Sequence, residues 1–105
     1  YYGDIMYIII QIIDRNIELL EFNGINVFFD ELLAEDMLYE DFSIMYRRKT
    51  GEDLSKDEFY NLKNIYNDDF FIMEDGHEAW INNIQGKSYD IKIVELKTMN
   101  QNKIA

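Results

Sequence analysis

Residues 5–13 read IMYIIIQII, with six isoleucines in nine positions, and a chain of 105 residues has to bury such a run. Whether the run is helix or strand therefore decides the fold class. The polar residues Asp4, Gln11, Asp14, Arg15, Glu18 and Glu21 fall on one face at 100° per residue, with Ile8, Ile9, Ile12, Ile13, Leu19 and Leu20 opposite. The adjacent pairs Ile12-Ile13 and Leu19-Leu20 break strand alternation, and Asn23-Gly24-Ile25 offers a glycine just past a helix end with an apolar residue after it. This spacing predicts a helix over residues 4–22. A hairpin is the rival reading, with Asn23-Gly24 as a type I′ turn joining strands at 17–22 and 25–29. Both stay open on sequence grounds.

Six carboxylates then fall within twelve residues: Asp30, Glu31, Glu35, Asp36, Glu40 and Asp41. Their pairs step by five residues, about 140° apart on an ideal helix, so one straight helix would carry acid all round. The apolar residues change face as well, from Phe28, Phe29, Leu32 and Leu33 to Leu38, Phe42, Met45 and Tyr46. These patterns predict two short helices, about 27–35 and 37–49, broken near residues 34–36, with Asp36 capping the second. Arg47, Arg48 and Lys49 before Thr50-Gly51 suit the negative end of a helix dipole.

Leu54-Ser55-Lys56-Asp57-Glu58-Phe59 is a capping box: Ser55 is the N-cap, Glu58 sits at the third helical position, and Leu54 staples to Phe59. A helix is expected from here to about Asn67, with Phe59, Leu62, Ile65 and Tyr66 inward. Asp75-Gly76 between apolar runs then predicts a hairpin pairing Glu74 with His77, Ile72 with Ala79, Phe71 with Trp80 and Phe70 with Ile81. A second turn near Gly86 leads into an alternating strand at 89–96.

Together these predict one α+β domain over residues 1–105. About four helices fill the N-terminal two-thirds, a small three-stranded antiparallel meander follows, and residues 97–105 form a frayed tail. From 27 to 82 the order of helices, capped helix and hairpin resembles that of winged-helix domains, and that resemblance implies a protein-binding rather than DNA-reading member, because the capped helix is not basic. The chain begins Tyr1-Tyr2-Gly3 rather than with Met, as a processed product or a piece of a longer chain would.

Composition narrows the function classes. A formal charge of −11 repels nucleic-acid phosphates and anionic membranes, so a basic protein is the expected partner, and no apolar run is long enough to cross a bilayer. With no cysteine there are neither disulfides nor thiolate metal sites, which is compatible with a cytoplasmic location. Ser43, Ser55 and Ser88 have no base at a recognisable spacing, so no enzyme activity is expected. His77 is the one histidine, expected to pair with Glu74, so no metal or cofactor is expected either.

What remains is a binding role. The acid stretch, extended by Glu18, Glu21, Asp68 and Asp69, suits a phosphate-like array that occupies the basic channel of a nucleic-acid enzyme. Small acidic inhibitors from phages and mobile elements, anti-restriction and anti-CRISPR proteins among them, work in this way as a class. The alternatives are an interaction module or immunity protein binding through aromatic contacts such as Trp80, and a DNA-binding regulator using Arg47 and Arg48.

Overall fold

The isoleucine run is a strand. In the computed structural model, which describes residues 5–97, the elements are β1 (Ile5–Ile13), β2 (Asn16–Leu19), α1 (Glu31–Thr50), α2 (Lys56–Asn61), β3 (Phe70–Ile72), β4 (Glu78–Ile84) and β5 (Lys87–Lys97). All five strands join one antiparallel sheet in the order β2-β1-β5-β4-β3. The class is α+β, but four N-terminal helices, a three-stranded meander and the winged-helix order are all overturned. Two helices lie in the chain between strands that meet in a single sheet, and β1 sits inside that sheet against β5. The frayed tail expected beyond Lys97 lies outside the described residues.

The helical reading of residues 4–22 failed because β1 is apolar on both faces. Tyr7 and Ile9 point into the core, whereas Ile8, Ile10 and Ile12 line the other side of the sheet, so the polar/apolar alternation of a half-exposed strand is missing. The β1–β2 turn is Asp14-Arg15, both at positive φ, and pairs Ile13 with Asn16. Asn23-Gly24 does make a tight turn, with Phe22 and Ile25 exchanging both backbone hydrogen bonds (2.8 and 3.0 Å), but only that single bridge forms there.

The predicted break at 34–36 is absent, and α1 runs unbroken for 20 residues from the N-cap Asp30 to Gly51, whose left-handed φ of 79° ends it. Its buried stripe is Ala34, Leu38, Phe42 and Met45. The earlier apolar cluster is largely on the surface: Leu32 is 70% exposed and Phe29 68%. The capping box at Ser55 and Glu58 is present with both reciprocal bonds, and Leu54 and Phe59 are buried. The helix it starts has six residues and ends well before Asn67. Asn64, at φ 59°, turns the chain so that its N–H donates to Ile72 O (2.7 Å) on the β3 edge, leaving Ile65 and Tyr66 exposed. An open sheet edge here competes successfully with helix propagation.

Beyond residue 69 the structure follows the sequence closely. Phe70, Phe71 and Ile72 face Ile81, Trp80 and Ala79, as the Asp75-Gly76 turn requires. Gln85 and Gly86, both at positive φ, form the second turn. The core closes between α1 and one sheet face: Phe42 meets Phe59 and Tyr89, while Tyr46 meets Phe70.

Candidate functional site

Each of the six carboxylates of the acid stretch is placed by α1, and they do not point one way. Asp30 accepts from the Leu32 N–H (2.9 Å), as an N-cap should. Asp36 pairs with Lys56 at the start of α2, and this contact raises the Lys56 pKa. Asp41 faces the sheet, where its Oδ2 accepts from Gln11 Nε2 (2.8 Å) and from the Tyr89 hydroxyl (2.7 Å). Burial first, then Asp41, holds the Tyr89 phenol well above its usual range.

Glu31 and Glu35 converge on a residue 42 positions along from Glu35. His77 Nε2 lies 2.8 Å from Glu35 Oε2 and 3.2 Å from Glu31 Oε2, so the histidine partners these two rather than Glu74. Glu40 has no hydrogen-bonded or ion-paired side-chain partner among the described residues.

The other candidate positions are scattered. Glu18 is on the edge strand β2 and Glu21 follows it, both exposed. Asp68 accepts from the Tyr66 hydroxyl (2.5 Å), and Asp69 lies 3.8 Å from Lys49. Arg47 is 3.5 Å from Asp53, while Arg48 lines a cleft of about 200 Å³ with Met45, Ile84 and Lys87.

What the structure brings together is the sheet face opposite α1. Strand register sets its rows: Met6 beside Leu96, Ile8 beside Val94, Ile10 between Leu19 and Lys92, and Ile12 between Ile17 and Asp90. On the β4 side Lys92 faces Glu78, Asp90 faces Trp80, and Trp80 stacks on Phe71 with ring centroids 6.0 Å apart. No element among the described residues covers this face, and Ile17, Leu19 and Leu96 are among the exposed large apolar residues. Trp80 therefore belongs to the open face and not to the core under α1.

No family model, curated protein or solved structure matches this chain.

The site thus has to be read from its own chemistry. Apolar side chains dominate the β2-β1-β5 side, while two carboxylates and one ammonium occupy the β5–β4 junction. Burial first, and then the neighbouring Glu78 carboxylate, pushes Asp90 up to about 6, against the opposing pull of Lys92. Asp90 Oδ1 is buried without a hydrogen-bond partner among the described residues.

Because the folded-state value is raised, the folded protein takes up this proton more readily than the unfolded chain, so the group's penalty grows as pH rises through about 6. Asp90→Asn is expected to raise the Tm at pH 7.5 by roughly 2–5 °C, with the gain shrinking towards pH 5. Thermal melts of both proteins at the two pH values check this, and a variant less stable at pH 7.5 would contradict it.

No helix among the described residues is long and apolar enough to cross a membrane.

Proposed function

We propose that the protein is a non-enzymatic binding module that docks a basic protein on the open face of its sheet and blocks or regulates it. The carrying observation is the row of Met6, Ile8, Ile10, Ile12, Val94 and Leu96, which no element among the described residues covers; Leu96 is exposed and the other five are half-buried. A contiguous, partly exposed apolar surface of this kind supports an interaction site. Charge selects the partner: −11 over 105 residues opposes a second copy of the chain, and Asp90 beside Glu78 is an acceptor for a guanidinium or ammonium. Long-range attraction then steers a basic partner, and the apolar centre holds it.

A nucleic-acid-binding protein is the partner class richest in such basic surface, so the inhibitor role among phage-type acidic proteins remains the leading version, acting in the cytoplasm of the source or host cell. The exposed acids Glu18, Glu21, Glu40, Asp68 and Asp69 act as a surrounding field in this reading, and Asp41 has a structural part.

Sedimentation and comparative affinity capture test the reading. The wild-type chain should be monomeric and retain a protein of high isoelectric point that elutes with salt, and that purified partner should be displaced from nucleic acid. Ile10→Asp, on the open face, is expected to weaken retention at least about tenfold, as placing a charge at an interface centre does. Equal capture by Ile10→Asp sinks the proposal, and so does a wild-type dimer that Ile10→Asp dissociates.

A further inference from the structure

We infer that Glu31, Glu35 and His77 form a binding site for a divalent transition-metal ion, for which Zn²⁺ is the suitable probe. The two carboxylates are four residues apart on the first turns of α1, hence on one face, and the imidazole comes from the residue immediately before β4. One donor atom from each residue lies within 4.8 Å of the other two. The measured edges, 2.8 Å from Nε2 to Glu35 Oε2 and 3.2 Å to Glu31 Oε2, are close to the roughly 3.3 Å separating ligands around a tetrahedral ion with bonds of about 2.0 Å. Closing on a metal takes an expansion of about 0.5 Å along the shorter of these edges and about 0.1 Å along the longer.

Hydrogen bonding alone leaves this cluster unbalanced. A single proton on Nε2 faces two carboxylate oxygens and makes one straight bond, so the second carboxylate goes without a full donor. No Lys or Arg pairs with Glu31 or Glu35 among the described residues. The Tyr7 phenol is raised by burial first, and then by Glu31, Glu95, Glu35 and Asp30. A cation at the centre of the triad satisfies all three donors at once. The dipole at the start of α1 works against it, but two formal charges outweigh a partial one at comparable range.

The imidazole is also held in place. The backbone N–H of His77 donates to Asp75 Oδ1 (2.9 Å), and its carbonyl accepts from the Ile93 N–H (2.7 Å). The side chain projects from a turn fixed on both sides, and the carboxylates project from a regular helix. This preorganisation is what a metal site needs from its scaffold. One nitrogen with two oxygens suits a first-row transition ion such as Zn²⁺ or Mn²⁺ better than Ca²⁺ or Mg²⁺, which favour oxygen donors alone. Three protein ligands leave the remaining position to water.

Calorimetric titration of the full chain with Zn²⁺, after treatment with a chelator, tests this. One high-affinity equivalent is expected, with a rise in Tm that the chelator reverses. His77→Ala and, separately, Glu35→Gln should each weaken that equivalent at least about tenfold, while circular dichroism shows both variants folded. Co²⁺ in place of Zn²⁺ should give visible absorption bands that His77→Ala removes. Absence of a saturable equivalent overturns the inference, as does Zn²⁺ binding with the same affinity in both variants, which would mark diffuse association with the acidic surface. If His77→Ala lowers the Tm equally with and without Zn²⁺ and no binding heat is seen, the triad is an ion pair only and the inference also fails.

Discussion

Asp36→Pro is expected to destabilise the protein by roughly 3 kcal/mol or more, a fall in Tm of roughly 12–20 °C for a domain this size. Asp36 is the sixth residue of α1, so proline there removes a ladder hydrogen bond and drives its ring into the preceding turn. Asp36→Ala supplies the control. It removes only the partly exposed ion pair with Lys56, which solvent screens to a small contribution. If the chain were broken near residues 34–36, proline would sit at a helix start and cost little more than alanine. Thermal melts of the two variants therefore measure the continuity of α1 directly, and equal losses would restore the broken-helix reading.

That contrast shows where the sequence is informative and where it is not. Features set by residues within a few positions of one another read correctly: the Ser55–Glu58 capping box, the Asp75-Gly76 register, the Gln85-Gly86 turn and the Gly51 stop. Features decided by distant partners did not. β1 belongs beside β5, with Ile9 opposite Ile93, and nothing in residues 5–13 announces a partner 84 positions away. The β-branched richness of that run was the one local sign of a strand, and periodicity argued against it because both faces are apolar. The partners of the acid stretch are distant in the same way: Asp41 is directed at Gln11 and Tyr89, Asp36 at Lys56, and Glu31 and Glu35 at His77. A helix with acid all round is tolerable when each side meets its own partner. The Glu-x-x-x-Glu spacing with a lone His was present in the sequence, but only the sheet topology puts the three side chains together.

Phe42→Ala is expected to cost about 3–5 kcal/mol, a large share of the roughly 5–15 kcal/mol that holds an ordinary domain folded. Phe42 is fully buried, and its ring centroid lies 5.5 Å from Phe59 and 6.4 Å from Tyr89, so it joins α1 to α2 and to β5 at once. Truncation leaves a cavity that these neighbours cannot close, because Tyr89 is tied to Asp41 through its hydroxyl and Phe59 to the capped start of α2. Leu32→Ala gives the opposite expectation from the same helix. Its side chain is 70% exposed, and a change within about 0.5 kcal/mol is expected. On sequence the two residues stood in rival apolar clusters of similar strength, and urea denaturation of both variants decides which one is core. Comparable losses at the two positions would mean that α1 is rotated from the orientation described, and would displace Asp41 and the Glu31–Glu35 pair together with it.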